Sequence, residues 1–326
     1  MSKILITGGA GFIGSHIVDF FLKKNFKVNV IDDLSSGLLK NINHHKVNKN
    51  FLFIKGDINN SAALKLAINK CSYVIHCAVK NVRYSILNPL KTHKVNATGT
   101  INLLNLCLEK KISKFIYCSS SEVYGNTKKS KINEKTPCYP TTIYGASKLT
   151  GEYYTLVYKN LYKLNAIVLR PFNAYGERAH QDSDKSEVIY RFIARILQNK
   201  RPYIYGNGQN SRDFTYVKDI AEIFFDILKI NIFRENIINV GYGSNISVNK
   251  LFFIISNIVS FKKKPIYTID RPGDIYSLSC DNTLLRKILK KTPSTKIEDG
   301  LNFYINSIKK DYKSISIEKF NWRKTF

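Results

Sequence analysis

Acidic residues are scarce in this sequence of 326 residues, which has 24 Asp and Glu against 51 Lys and Arg and a formal charge of +27. Such a charge is compatible with nucleic acid, an anionic membrane surface or an anionic substrate as partner. The chain lacks a long cationic run interleaved with aromatic residues, which a nucleic-acid groove requires. Its lysines are scattered instead, so we expect a solvated basic surface that attracts a phosphate-bearing substrate and binds no nucleic acid.

Cysteine motifs and membrane segments are also missing. The six cysteines form no CxxC pair, and Cys77 and Cys118 lie within apolar runs, which predicts buried thiols in a reducing compartment. The longest apolar stretches, such as 251–259, are too short to cross a bilayer. Residues 1–20 lack the cationic start, apolar core and cleavage site of a signal peptide. We therefore expect a cytoplasmic protein with no membrane partner and no metal.

Short apolar runs alternate with amphipathic segments through the first half of the chain, the pattern of a parallel α/β sheet. Because the strands are apolar on both faces, helices must cover both sides of the sheet, which is then doubly wound. The predicted strands are 3–7, 27–31, 51–54, 73–77, 114–118 and 166–169, and the predicted helices are 14–24, 61–69 and 146–161.

The pattern changes after about residue 175. Loop-rich stretches there alternate with amphipathic segments at 188–198 and 219–228, which favours a smaller C-terminal α/β domain that covers the substrate. We expect domains at 1–175 and 176–326, with some segments of the second returning to the first sheet. The basic tail 309–326 is weakly patterned, and we assign it no function.

A glycine-rich segment, TGGAGFIG at 7–14, links the first predicted strand to the first predicted helix. Its first glycines let backbone N–H groups approach a pyrophosphate at the helix N-terminus, and Gly14 lets that helix pack closely on the sheet. Asp32 ends the second strand, where it can accept hydrogen bonds from an adenosine ribose and repel a 2′-phosphate. This spacing predicts a Rossmann domain that binds NAD in preference to NADP.

Tyr144 and Lys148 are four residues apart on a predicted helix, so they lie on one face. A tyrosine that acts as a base near neutral pH needs its pKa lowered from about 10, and a neighbouring lysine and a positive nicotinamide ring could lower it. Upstream, Ser120 and Glu122 follow the strand at 114–118, at the sheet edge where ligands bind in open α/β sheets. The four residues together predict a catalytic site.

The order of motifs resembles the extended short-chain dehydrogenase/reductase family, specifically its nucleotide-sugar epimerases and dehydratases. The resemblance covers nearly the whole chain and runs through TGGAGFIGSH (7–16), Asp32, GDI (56–58), HCA (76–78), VNATGT (95–100), SSSEVYG (119–125), YGASK (144–148), RPFNAYG (170–176), SRDFTYVKD (211–219) and RPGD (271–274).

The resemblance implies a role for individual positions. It implies NAD contacts at Gly8, Gly11, Phe12, Ile13, Gly14, Asp32, Asp57, Ile58, Ala78, Lys80, Asn96, Tyr144 and Lys148. It places Asp57 and Ile58 beside the adenine, Ala78 and Lys80 on the pyrophosphate side, and Asn96 in a network facing the nicotinamide. The implied substrate contacts are Ser121, Asn173, Arg212 and Arg271, and the arginine fork suits a nucleotide diphosphate. It also implies a homodimer formed through helices near 96–110 and 146–161.

The chemistry shared by this family is oxidation at C4 of the sugar, in which Tyr144 takes the hydroxyl proton directly or through Ser120 and NAD takes the hydride. The ketone then has three fates. A 4-epimerase returns hydride to the other face, a 4,6-dehydratase expels the C6 hydroxyl, and a decarboxylase loses a C6 carboxylate.

Glu122 stands where such dehydratases carry the base for C5, which favours dehydration. Ser121 favours the opposite, because many dehydratases have an aspartic acid there. Glu187 stands where UDP-glucuronate decarboxylases have an arginine, so we rank decarboxylation third. The sequence leans slightly to a 4,6-dehydratase over a 4-epimerase similar to the UDP-glucose enzymes. A protein that only senses NAD would show damage to Ser120, Tyr144 or Lys148, and all three are present.

Overall fold

The protein is described here from a computed structural model, which covers residues 2–127, 131–180, 187–269 and 277–309. Its strands are β1 Lys3–Thr7, β2 Lys27–Asp32, β3 Phe51–Lys55, β4 Tyr73–His76, β5 Lys114–Cys118, β6 Lys131–Ile132, β7 Ala166–Pro171, β8 Ala174–Tyr175, β9 Tyr203–Tyr205, β10 Ser211–Arg212, β11 Thr215–Tyr216, β12 Ile237–Val240, β13 Ile246–Ser247, β14 Ile266–Thr268 and β15 Ser277–Cys280. Its α-helices are α1 Phe12–Lys23, α2 Ser61–Ile68, α3 Val82–Leu87, α4 Pro89–His93, α5 Gly99–Glu109, α6 Ile143–Leu161, α7 Val188–Leu197, α8 Val217–Lys229, α9 Val248–Ile258, α10 Thr283–Leu289 and α11 Ile297–Ile308.

Seven strands form one parallel sheet in the order β12-β7-β5-β4-β1-β2-β3. The chain builds outward from β1 in one direction through β2 and β3, and in the other through β4, β5 and β7. The order therefore switches between β1 and β4, the position where open α/β sheets bind ligands. The predicted Rossmann α/β fold is confirmed.

Alternate residues of the strands supply the two faces of the sheet. Ile4 and Ile6 face α1 and α8, where they pack in one cluster with Phe21 and Phe224. Leu5 faces the opposite side, in a second cluster with side chains of α2, α5 and α6. Burying each of these large apolar side chains contributes about 1.5–3 kcal/mol, so both helical layers are fixed to the sheet.

The C-terminal half adds a smaller unit. Helices α7, α9 and α11 form a third apolar cluster with Ile204 of β9 and Tyr216 of β11. Further short strands pair in the order β13-β10-β15-β6, with separate pairs β14-β9 and β11-β8. Strand β12 pairs with β7 and completes the main sheet. Within the described residues, every helix is too short or too polar to span a bilayer.

Two predicted boundaries differ in ways that affect the site. The first helix begins at Phe12, so the glycine loop is shorter than predicted. Helix α6 begins at Ile143, three residues early, because the Thr142 hydroxyl caps it by accepting a hydrogen bond from the N–H of Gly145 at 2.9 Å. Tyr144 therefore lies within the first turn of the helix.

Candidate active site

A solvent-open cleft of about 990 Å³ lies over the carboxyl ends of β1, β2, β4 and β5. Most of the residues predicted to hold NAD line this cleft, namely Gly8, Gly11, Phe12, Ile13, Gly14, Asp32, Asp57, Ile58, Ala78, Lys80, Tyr144 and Lys148. Segments far apart in the sequence thus meet at the predicted edge of the sheet.

Two glycines of the loop lie too close to neighbouring backbone to carry a side chain. Gly8 has a positive φ of 68°, and a Cβ there would lie 2.6 Å from the backbone of Ala78. A Cβ on Gly14 would overlap the carbonyl oxygen of Gly8. The loop leaves open space at the N-terminus of α1, and this space fits the pyrophosphate of a dinucleotide.

Asp32 holds the glycine loop to the end of β2. Its two carboxylate oxygens accept hydrogen bonds from the N–H of Ala10 at 2.9 Å and of Leu34 at 2.8 Å. Burial raises the pKa of Asp32, and these two backbone hydrogen bonds oppose the rise. The carboxylate at the floor of the cleft fits a ribose with free hydroxyls and disfavours a 2′-phosphate.

Lys80 is positioned from two directions. Its ammonium lies 3.1 Å from Asp33 and donates to the Ser35 hydroxyl. Its backbone is clamped by Asn96, whose Oδ1 accepts from the Lys80 N–H at 2.8 Å and whose Nδ2 donates to the Lys80 carbonyl at 3.1 Å. Asn96 Nδ2 also donates to Ser147 at 2.9 Å, so Asn96 joins the Lys80 wall to α6.

These contacts refine two of the predictions. Asn96 is only 1% exposed, so it acts on the cleft through the residues that it holds. Asp33 was not predicted as a site residue, although it follows Asp32 directly in the sequence. Its pairing with Lys80 depends on β2 and β4 lying on either side of β1, a fact of sheet order that the sequence spacing does not give.

Ser120 and Tyr144 form the centre of the catalytic set. Tyr144 lies at the wall of the cleft, partly exposed, with its phenol beside the Ser120 side chain. Burial raises the pKa of Tyr144 well above its ordinary value, while the hydrogen bond from Ser120 lowers it. The protein alone thus holds Tyr144 as a neutral phenol, contrary to the expectation that the lysine neighbour would lower its pKa.

The surroundings of Lys148 explain why it does not lower the pKa of Tyr144. Its ammonium donates a hydrogen bond to the carbonyl of Cys118 and lies 4.2 Å from the centroid of the Tyr117 ring. Lys148 is 2% exposed, and burial lowers its own pKa. The lysine is therefore anchored to the end of β5 and to the Tyr117 ring.

Three charged residues from separate elements act on one another beside Tyr144. Glu122 lies in the helical turn Ser121–Tyr124, Glu187 directly precedes α7, and Arg212 ends β10. Burial is the main cause that raises the pKa of Glu122; Glu187 raises it further and Arg212 lowers it. Both glutamates also raise the pKa of Tyr144. The sequence predicted Glu122 and Arg212 as site residues and singled out Glu187 as an acid that disfavours decarboxylation, but it did not predict that Glu187 acts on Glu122, because the position of α7 is set by tertiary packing.

The other predicted substrate residues have different surroundings. Asn173, at φ 27° after β7, donates from Nδ2 to the carbonyl of Asp213 at 3.2 Å and so holds the loop that follows Arg212. Ser121 is 4% exposed, within the turn. Arg271 lies outside the described residues.

Comparison with known proteins agrees with this geometry. The sequence model that describes the NAD dependent epimerase/dehydratase family matches residues 4–241 of this chain. The chain belongs to this family. It is therefore an enzyme of the NAD-dependent epimerase/dehydratase class, and NAD is its cofactor, as predicted.

Individual relatives include both reaction types. A putative UDP-glucose 4-epimerase of Methanocaldococcus jannaschii is 35% identical over 314 residues, which are 95% of this chain and 100% of that protein. The structure of UDP-N-acetylglucosamine 4-epimerase from Methanobrevibacter ruminantium has a TM-score of 0.89 and 35% identity, covering 94% of this chain and 98% of that one. A dTDP-D-glucose 4,6-dehydratase of Dictyostelium discoideum is 36% identical over 276 residues, 78% of this chain but 62% of that protein.

Proposed function

We propose that this protein is a UDP-sugar 4-epimerase that inverts C4 of a neutral hexose through transient oxidation. The observation that carries the proposal is the Tyr144 phenol beside the Ser120 side chain, with Tyr144 and Lys148 both lining the NAD cleft. A hydroxyl and a phenol so arranged provide a proton path to an alcohol, which is what oxidation at C4 requires.

Each catalytic residue has one task in this mechanism. Tyr144 takes the proton of the C4 hydroxyl, through Ser120, while the C4–H bond breaks. Bound NAD supplies the hydride acceptor and the positive charge that favours the phenolate. Lys148, fixed to the Cys118 carbonyl, holds the helix turn that carries Tyr144 against the end of β5. After the keto sugar presents its other face, Tyr144 returns the proton to the C4 oxygen.

Two observations support epimerisation over the 4,6-dehydration to which the sequence leaned. Dehydration needs an acid for the departing C6 hydroxyl, and Ser121, where many dehydratases have that acid, is a buried serine. The putative 4-epimerase of Methanocaldococcus jannaschii also matches along its whole length at 35% identity, whereas the Dictyostelium dehydratase is matched over 62% of its length and a dTDP-glucose 4,6-dehydratase of Streptomyces venezuelae, matched over 98% of its chain, is 25% identical. Together they favour return of hydride to C4.

A 4,6-dehydratase remains the second candidate because of Glu122. Burial and the neighbouring Glu187 raise the pKa of Glu122, which suits a group that exchanges a proton with the sugar. A dehydratase would use Glu122 at C5, whereas in the epimerase Glu122 binds hydroxyls of the sugar.

The charges of the cleft also support a substrate class. Arg212 offers a guanidinium to a diphosphate, and Asn173 supports the loop that carries it. Glu122 and Glu187 place two negative charges on the sugar side, which disfavours a C6 carboxylate. We therefore favour neutral or amino-substituted UDP-hexoses as substrates over UDP-glucuronate.

The exterior of α6 supports a homodimer. Tyr153, Val157 and Leu161 follow one another at four-residue intervals and are 61%, 49% and 65% exposed. Contiguous exposed apolar residues of this kind are typical of an interaction surface, and a second copy of this helix would cover them. We propose that the dimer works in the cytoplasm, where its cysteines, all free in the structure, stay reduced.

Product analysis tests the proposed reaction. Purified protein is incubated with UDP-glucose, UDP-N-acetylglucosamine, UDP-glucuronate and dTDP-glucose, and the products are identified by NMR. The proposal predicts a C4-inverted UDP-sugar. A C4 ketone that has lost the C6 hydroxyl would establish the dehydratase instead.

A further inference from the structure

Two cysteines outside the proposed mechanism lie side by side at the edge of the NAD cleft. Cys77 directly follows β4 and Cys118 ends β5, and the register of these strands places His76 opposite Tyr117. The next step of the ladder brings Cys77 opposite Cys118. Neighbouring strands are about 4.7–4.9 Å apart, which falls within the Cα separation of about 4.4–6.8 Å that a disulfide spans.

The side chains of the pair meet on one face of the sheet. Both pack in the cluster beneath α1, and each thiol changes the pKa of the other, so the two side chains are neighbours. Both residues also line the NAD cleft, Cys77 with part of its surface exposed. Two neighbouring thiols on residues that line a solvent-open cleft are an arrangement in which thiol oxidation can form a disulfide.

The charge around the pair favours reaction at Cys118. The hydrogen bond from Cys77 and the Lys148 ammonium lower the pKa of the Cys118 thiol, against the effect of burial. The thiolate is the nucleophilic form of cysteine, so the lysine beside the cleft increases the reactivity of Cys118.

Cys71 and Cys107 provide an internal contrast. They are also near one another, but they are buried in the cluster on the opposite face of the sheet and do not line the cleft. Burial raises the pKa of both thiols, that of Cys71 to about 12. This second pair has the proximity but lies away from the NAD cleft, on the other face of the sheet.

We propose that Cys77 and Cys118 form a redox-active dithiol in the NAD cleft, which peroxides oxidise to an intramolecular disulfide. The Cys118 thiolate attacks one peroxide oxygen, the O–O bond breaks, and the departing hydroxide takes up a proton to become water, which leaves a sulfenic acid. The Cys77 sulfur then attacks the Cys118 sulfur, so that the S–S bond forms, the S–O bond breaks and a second water leaves with the Cys77 proton. Two electrons pass from the thiols to the peroxide.

Because the two cysteines and the cofactor share one cleft, bound NAD should affect the oxidation of the dithiol. A Cβ on Gly8 would lie 2.8 Å from the carbonyl carbon of Cys77, so the glycine loop and the end of β4 are in direct contact. Bound NAD occupies the cleft that both thiols line and limits the access of peroxide. NAD at about ten times its Kd leaves roughly a tenth of the protein free, so oxidation should slow about tenfold.

The test is mass spectrometry of the full chain after treatment with hydrogen peroxide, with and without NAD. The proposal predicts a loss of two hydrogens, a disulfide mapped to Cys77 and Cys118, reversal by dithiothreitol, and about tenfold slower formation with NAD. Cys77→Ala and Cys118→Ala each abolish the disulfide, whereas the matched controls Cys71→Ala and Cys107→Ala retain it.

The wild-type protein alone can overturn the proposal, whether or not the variants fold. It is wrong if the half-exposed Cys138 is oxidised while no disulfide joins Cys77 to Cys118. It is also wrong if the disulfide forms equally fast with the cleft saturated by NAD, or if Cys71 and Cys107 are the pair that becomes linked.

Discussion

Glu152 on α6 accepts two hydrogen bonds from the guanidinium of Arg170 on β7, with Nε 2.8 Å from Oε1. The ion pair is almost fully buried, and the Ser119 hydroxyl donates to the same carboxylate. Glu152 lies four residues after Lys148, on the same side of the helix. The pair therefore fixes the catalytic helix to the ends of β5 and β7.

Removing this carboxylate should destabilise the protein strongly. Glu152→Ala leaves the buried Arg170 without a counter-charge, and we expect the free energy of unfolding in urea to fall by about 3–5 kcal/mol. The control is Glu222→Ala, which removes an exposed ion pair with Lys291 and should cost less than about 1 kcal/mol. Equal losses for the two variants would show that the buried pair does not fix the helix.

Removing the Tyr144 hydroxyl should stop the chemistry and leave cofactor binding intact. We expect Tyr144→Phe to lower kcat by about 10²–10⁴ because the proton of the C4 hydroxyl then has no acceptor. NAD affinity, measured by calorimetry, should change little, since most of the cleft wall is unaltered. Tyr154→Phe, on the same helix, is the control, and wild-type turnover in Tyr144→Phe would refute the mechanism.

The main strands and the cofactor loop were predictable because their signals are local. Apolar runs define β1 and β5 with the predicted ends, and Gly11 and Gly14 lie close to the carbonyl oxygen of Gly8 within the same short loop. The start of α6 was missed because the Thr142 cap outweighs the weaker helix preference of the glycine that follows.

Contacts between distant segments were not predictable in this way. Glu187 acts on Glu122 only because α7 packs in the cluster of the C-terminal half, and 65 positions separate the two residues in the sequence. The pairing of Asp33 with Lys80 likewise depends on the order of strands in the sheet. Sequence periodicity specifies which face of an element is buried, but it does not specify which elements become neighbours.

Reversing the charge at position 187 should change substrate preference. Glu187→Arg replaces repulsion of a C6 carboxylate with attraction, so we expect kcat/KM for UDP-glucuronate relative to UDP-glucose to rise at least about tenfold. Glu298→Arg, which makes the same change in the first turn of α11, is the control. An unchanged ratio in Glu187→Arg would mean that residue 187 does not face the sugar.

Stability should fall in mild acid because of His16. Burial lowers the pKa of His16 to about 4 from the ordinary 6.5, so between these values the unfolded chain binds more protons than the folded one. Above pH 6.5 the neutral ring makes its full contribution to the free energy of unfolding. As the pH falls toward 4 this contribution is lost, and the free energy of unfolding drops by up to about 3 kcal/mol.

Urea unfolding at pH 7 and pH 4.5 measures this loss. In His16→Gln the free energy of unfolding should fall less between pH 7 and pH 4.5 than in the wild type. In His93→Gln, at an exposed position on α4, it should fall as much as in the wild type. If the two variants behave alike, acid sensitivity arises elsewhere.

The path of the C4 hydrogen tests the central claim most directly. UDP-glucose carrying deuterium at C4 is converted by the enzyme, and the position of the label in the product is determined by NMR. Transient oxidation followed by return of the same hydride to the opposite face predicts a C4-inverted sugar with deuterium still at C4. Deuterium at C6 would show that the enzyme is a 4,6-dehydratase, and its loss to solvent would contradict hydride transfer altogether.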